Sequence, residues 1–221
     1  MPFGFTEEEL DHFSMVLSAS RLSTYLKETD NNQKLAMDLY LWQMKLCAAF
    51  SIPLHIFEIS FRNTVAEAVA NVHGNKWPWK EGFIQSIPRQ KKYYCAQNDL
   101  RRKAKEHETT GSVVAGLRFA FWEKMLTNRH VKIWEEQFPI VFTGWNDRRP
   151  ILDSVKYCRE EAERIRKFRN RIAHHEPIFS RNLNTDYKRL IEMLNLINPA
   201  VGDWIRRVST VEDILGERPD K

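Results

Sequence analysis

The spacing of apolar residues predicts an all-α fold. Apolar side chains recur every three or four positions through most of the 221 residues, which is the period of an amphipathic helix. Only 8 glycines and few turn pairs interrupt them, too few for the tight hairpins of a β fold. Seven tryptophans and thirteen phenylalanines provide bulky side chains for helix packing. The length suits a single domain over 1–221 with an N-terminal appendage of about 30 residues.

The elements follow in order. Thr6-Glu-Glu-Glu9 is a capping box and starts a short helix. Asp30-Asn31-Asn32 breaks the pattern, and a helix follows from Gln33 with Leu35, Leu39, Trp42, Leu46 and Phe50 inward. Ser51 and Pro53 punctuate it, so a separate helix is expected from about Ile52 to Val72. That helix is apolar nearly all round, with Glu58, Arg62 and Asn63 as its polar exceptions, which places it centrally. Glu58 and Arg62 have the favourable order for an ion pair one turn apart; alternatively, one of them reaches the motif described below. His73-Gly74 closes the helix. Residues 74–88 read as a loop pinned to the core by Trp77 and Trp79. A basic helix is predicted over 89–107, and another from Ser112 to about Leu126. His130 reads as surface or capping, ahead of an aromatic stretch holding Trp134, Phe138, Phe142 and Trp145. A long helix is expected over about 150–174, then helices to Ile197 and over Pro199–Val208, and a short turn at Val211–Leu215.

The net charge of +5 is mild, and its distribution carries more information than its total. Arg89, Lys91, Lys92, Arg101, Arg102, Lys103 and Lys105 crowd one segment, with Tyr93 and Tyr94 among them. Cations interleaved with aromatics suit phosphate contact and base stacking; a solvated helix face has the same composition. Three cysteines, at 47, 95 and 158, show neither metal spacing nor a disulfide framework. The opening residues carry no basic-then-apolar leader pattern, and no uninterrupted 18-residue apolar run marks a membrane span. A cytoplasmic location is therefore expected, with no membrane partner.

The long helix near the C-terminus holds the strongest signal. Ile151, Val155, Cys158, Ala162, Ile165 and Ile172 fall on one stripe, and Arg169 falls within it. A guanidinium on such a seam is costly to bury unpaired, so it must meet a carboxylate, a phosphate or a neighbouring subunit. His174 and His175 follow, and Pro177 disfavours helix at Glu176. On an unbroken helix His174 lies about 140° and His175 about 120° from Arg169, on opposite sides. Either the helix unwinds after Ala173 or a partner completes the site.

Arg169-Asn170-x-x-x-His174 resembles the signature of the HEPN ribonuclease superfamily. The longer string Arg-Asn-Arg-Ile-Ala-His-His-Glu-Pro-Ile from 169 to 178 is similar to the Abi-like (abortive infection) proteins of phage defence. Arg21-Leu-Ser-Thr-Tyr-Leu, Leu39-Tyr-Leu-Trp42, Glu58-Ile-Ser-Phe-Arg62-Asn63 and the segment from Val114 to Trp122 resemble further blocks of that family. The resemblance implies a HEPN-like helical bundle with accessory helices. It also implies a metal-independent endoribonuclease with no cofactor, whose site forms across a homodimer. Arg169 would stabilise the phosphate, His174 would act as base or acid, and Asn170 would position it. His175 is the second histidine candidate or a capping residue, and Arg166 and Arg171 flank the motif as RNA contacts. A small structured RNA or an antitoxin would restrain such a toxin. Two rivals remain: a non-catalytic module holding structured RNA through its basic helices, and an interaction bundle in which Arg169 pairs with Glu58. There is no Gly-rich phosphate loop, Gly-x-Ser-x-Gly or His-Glu-x-x-His motif.

Overall fold

A computed structural model describes residues 5–89, 94–146 and 149–219. The fold is all-α. Twelve α-helices and two 3-10 turns account for its regular structure among the described residues.

The N-terminal hairpin pairs α1 (Glu7–Leu17) with α2 (Ala19–Glu28). The capping box starts α1: the Thr6 side chain accepts from the Glu9 amide, and the Glu9 carboxylate accepts from the Thr6 amide. The hairpin packs on α3 through a small satellite core of Leu10, Leu22 and Met37. Asp30 and Asn31 then take left-handed backbone conformations, at φ 52° and 64°, which Asp and Asn tolerate better than most residues. The Asn32 side chain caps the next helix by accepting from the Leu35 amide at 3.0 Å.

That helix, α3, runs without interruption over Gln33–His73. The break expected at Ser51–Pro53 is absent. Pro53 removes one backbone donor and tends to kink a helix interior, yet both flanking segments are buried. Phe50 and Leu54 sit in the core on either side of it, and this packing outweighs the local penalty. Gly74 closes α3 at φ 78°. Helix α3 is the one described helix long and apolar enough to cross a membrane by length and composition. In this fold Leu46, Phe50, Phe57, Phe61, Val65 and Val69 direct that apolarity into the main core.

Residues 74–88 contain more order than a loop, with a 3-10 turn at Trp77–Trp79 and α4 at Glu81–Ser86. Trp77 is fully buried, whereas Trp79 stays partly exposed and donates its indole N–H to the Ala104 carbonyl at 2.7 Å. The basic helix, α5, begins only at Ala96 and ends at Glu106. The helix expected from Ser112 to Leu126 is two, α6 (Thr110–Gly116) and α7 (Phe119–Met125). Its cap is Thr109, which accepts from the Ser112 amide. Between them the backbone is extended, and the Arg118 amide donates to the buried Asp99 carboxylate at 3.3 Å rather than to the helix.

His130, expected at the surface or as a cap, takes the N-cap position of the helix that follows, without a side-chain cap bond, and it is not at the surface. It ends a 3-10 turn and is buried, its ring 6.4 Å from that of Phe83. The aromatic stretch forms α8 (Val131–Val141), whose Trp134 and Phe138 enter the core. Helix α9 (Ile151–Ala173) packs against α3, α7, α8 and α10 (Leu183–Ile197). Helix α11 (Pro199–Val208) folds back on α10, and α12 (Val211–Gly216) returns to α3. Gly144 lies where the segment after α8 crosses α10. Its amide donates to the Leu196 carbonyl at 3.1 Å, and a Cβ there would come within 1.9 Å of the Asn195 carbonyl oxygen.

Candidate functional site

The end of α9 and the middle of α3 build the site. Val155, Cys158, Ala162 and Ile165 of the predicted stripe are buried, while Ile151 and Ile172 are half-buried at its ends. This seam seats α9 so that Arg169 meets α3. There the Arg169 guanidinium donates through Nη2 to both Glu58 oxygens, at 2.9 and 3.1 Å. A carboxylate was one of the three partners the sequence allowed, and Glu58 provides it. The pair is not deeply buried, with side-chain exposures of 43% for Arg169 and 29% for Glu58. A crevice of about 10 Å³ lies beside it, between Leu54, Phe57, Phe119 and Ile165. That is space for about one water molecule, so a larger ligand reaches Arg169 only from its solvent side.

Glu58 therefore turns to α9, and it forms no ion pair with Arg62 among the described residues. The Arg62 Nε is buried without a hydrogen-bond partner, and Asn63 is exposed. Asn170 accepts from Arg169 Nη1 at 3.3 Å through its side chain. Its only bond to His174 is through the main chain, where its carbonyl accepts from the His174 amide at 2.9 Å. The expected side-chain hold on the His174 ring is therefore not formed.

The helix does unwind after Ala173. His174 is the C-cap, and His175 follows in the left-handed region at φ 55°. The His175 amide donates to the Ile172 carbonyl and the Glu176 amide to the Arg171 carbonyl. These are the two backbone bonds of a Schellman ending, made here with histidine where glycine is usual. Both histidines are exposed. The His174 side chain makes no hydrogen bond or ion pair among the described residues, and His175 serves the cap through its backbone. Negative charge is unfavourable at this end of a helix, and protonated histidine is favourable.

Two residues without an assigned role in the sequence reading hold this turn. Arg21, on α2, donates from Nη1 to the His175 carbonyl at 2.7 Å. Gln43, buried on α3, accepts from the Ile178 amide at 2.8 Å and donates to the Glu176 carbonyl at 3.5 Å. Neither contact has a local sequence signal, because the partners lie 154 and at least 133 positions away.

The expected RNA-binding cations are mostly engaged. Arg101 pairs with Glu81, Arg102 with Asp99 and Glu106 at 2.7 Å each, and Lys103 with Glu106 at 2.6 Å. Arg89 donates to Gln97, and Lys105 is exposed. Lys91, Lys92 and Tyr93 lie outside the described residues. The Tyr94 hydroxyl donates to Asp99, so its ring is part of a polar cluster and not a free stacking surface. The spacings Asp99-x-x-Arg102 and Arg102-x-x-x-Glu106 are the visible signal of this neutralisation. Near the motif, Arg166 pairs with the buried Glu123, whose carboxyl burial pushes above its usual range. Arg171 donates to the Pro177 carbonyl at 2.7 Å and faces Glu176 at 3.5 Å; it braces the turn.

Among the described residues no group of three histidine, cysteine or acidic side chains is arranged to hold a metal ion. Compared with protein-family models, curated proteins and solved structures, the chain matches none.

Proposed function

We propose that the chain is a metal-independent endoribonuclease of the Abi-like HEPN type, acting in the cytoplasm in phage defence. One observation carries the reading. A half-exposed Arg169, aligned by Glu58, lies a little over one helical turn before a helix end that presents the unencumbered side chain of His174.

RNA supplies its own nucleophile. Its 2′-OH attacks the adjacent phosphorus once a base removes the proton, and the 5′-oxygen leaves when an acid protonates it. The products are a 2′,3′-cyclic phosphate and a 5′-hydroxyl. Imidazole titrates near neutrality and serves either proton transfer. A guanidinium stabilises the charge that develops on the equatorial phosphoryl oxygens. Glu58 and Asn170 use Nη2 and one Nη1 proton of Arg169, which leaves the Nε–H and one Nη1–H for phosphate. Glu58 therefore orients the arginine without having to leave it. A second motif from a partner copy would complete the acid–base pair, as the resemblance implies. By the same resemblance, an antitoxin or a small structured RNA restrains the activity.

The rival binding module depends on the basic helix, and the ion pairs of α5 weaken it. The deciding experiment is cleavage of mixed cellular RNA in EDTA by wild type, Arg169→Ala and His174→Ala. Wild type is expected to produce cyclic-phosphate ends, with at least a ~100-fold loss in either variant while RNA binding persists. Equal cleavage by all three proteins would overturn the assignment.

A further inference from the structure

A cavity of about 410 Å³ opens beside the His174–His175 turn, between α2, α3 and the end of α9. Its walls include Arg21, Tyr40, Met44, Cys47, Ile172 and His175. This volume lies within the ~300–1,000 Å³ range of small-molecule pockets. Ile172 is three residues after Arg169, about 5 Å further along the helix axis. The cavity therefore adjoins the place where a phosphodiester would be held.

Arg21 is the one arginine or lysine in the wall of this cavity, and a guanidinium can only donate. Arg21 spends one N–H on the His175 carbonyl and keeps the rest of its guanidinium. Tyr25 is 1% exposed and lies behind this wall, with its hydroxyl within reach of the Gln43 side chain. Arg21, Tyr40, Gln43 and Cys47, all around the cavity, lie close enough to act on that hydroxyl, and burial pushes the phenol strongly up. Burial likewise pushes the Cys47 thiol up to about 11. Both groups thus keep their protons at neutral pH. The Gln43 amide oxygen accepts from the Ile178 amide, and its nitrogen donates to the Glu176 carbonyl. Met44, Ile172 and the Tyr40 ring supply apolar surface to the wall.

We propose that this cavity is a nucleobase pocket for a keto base, guanine or uracil, of the RNA strand whose phosphate is held at Arg169. The inference rests on the nuclease reading for its substrate, and on the cavity for its selectivity. A flat aromatic base suits an apolar slot with an aromatic side chain. Guanine O6 and N7, or uracil O4, accept from a guanidinium and a hydroxyl. Adenine and cytosine place an amino group at the equivalent edge, and Arg21 cannot accept from it.

The test uses the cysteine in the wall. The full chain is treated with N-ethylmaleimide at pH 8.5, and alkylation of Cys47 and Cys95 is followed by peptide mass spectrometry. The added probes are the 3′-monophosphates of guanosine, uridine, adenosine and cytidine, and inorganic phosphate. Guanosine and uridine 3′-monophosphates should slow Cys47 alkylation about threefold at two-thirds occupancy, with no effect at Cys95. The adenosine and cytidine nucleotides and phosphate should leave both rates unchanged. Ala48 is exposed at the cavity mouth, so Ala48→Phe fills the space without touching the core and should abolish protection. Arg21→Met should abolish the distinction between bases.

Equal protection by all four nucleotides, protection by phosphate alone, or no protection would overturn the pocket. So would protection that survives Ala48→Phe. Cleavage is not needed for any of these readings. Keto-selective protection in a protein that cuts no RNA would overturn the nuclease and leave the base pocket standing. Arg169-dependent cutting with no protection would do the reverse.

Discussion

Glu58 and Arg169 meet in a half-exposed contact, and that exposure sets what substitutions there can report. A fully buried ion pair costs about 3–5 kcal/mol when one partner is removed. A pair exposed at 43% and 29% is closer to the surface case, about 0–1 kcal/mol. Arg169→Ala and Glu58→Gln are therefore expected to stay folded, with denaturation midpoints close to wild type. Loss of activity in them would report on chemistry. The reading in which this pair holds the bundle together predicts unfolding instead, and a urea titration separates the two.

His130 has the opposite character. It is buried with Nε2 unpartnered, and burial pushes its pKa down to about 4. In the unfolded chain an ordinary histidine titrates near 6.5. Between these values the unfolded state binds the extra proton, so the stability contribution is complete above about pH 6.5 and lost as pH falls toward 4. The full difference corresponds to about 3 kcal/mol. His130→Leu is expected to flatten the acid limb of stability by roughly that amount, measured by denaturation at pH 7 and pH 4.5 against wild type. Its single ring nitrogen pair gave no hint of burial in the sequence, because no ligand spacing or periodic partner accompanies it.

At the scale of elements, the helices with strong end signals were legible. Asn32, Asn182 and Asn198 cap their helices through side-chain oxygens, and the ends near Gly74 and Pro177 fall where expected. The errors came where tertiary contacts outweighed local preference. Core packing carried α3 through Pro53, and Asp99 captured the Arg118 amide to split one expected helix in two. The crossing at Gly144 was equally invisible, since it joins segments about fifty residues apart. Gly144→Ala is expected to lower stability by more than about 2 kcal/mol, because backbone must move to admit the Cβ. Gly82→Ala, where a Cβ meets nothing within 4 Å, is the matched control and should leave the melting temperature nearly unchanged.

For the whole molecule, the all-α class followed directly from helical periodicity, and the motif helix was placed within one residue at either end. The pairing of Arg169 with Glu58 is legible as one way to satisfy a guanidinium on an apolar seam; the roles of Arg21 and Gln43 are not, since their partners are distant in sequence. If the site spans two copies, with arginine from one and histidine from the other, Arg169→Ala and His174→Ala should complement each other. Mixing and re-equilibrating the two inactive proteins would then restore about a quarter of wild-type cleavage, from half the dimers carrying one intact site of two. A site confined to one chain would recover nothing.

Helix α3 has 41 residues and so extends about 60 Å. Pro53 lies near its midpoint, where one rung of the backbone ladder is necessarily missing. The wall of the cavity, from Tyr40 to Ser51, belongs to one arm, and Glu58 belongs to the other. Bending concentrates where a rung is absent. A rotation of about 10° there would carry the far end of either arm through about 5 Å. Any bend of the helix at Pro53 would therefore shift the residue that orients Arg169 relative to the cavity beside it.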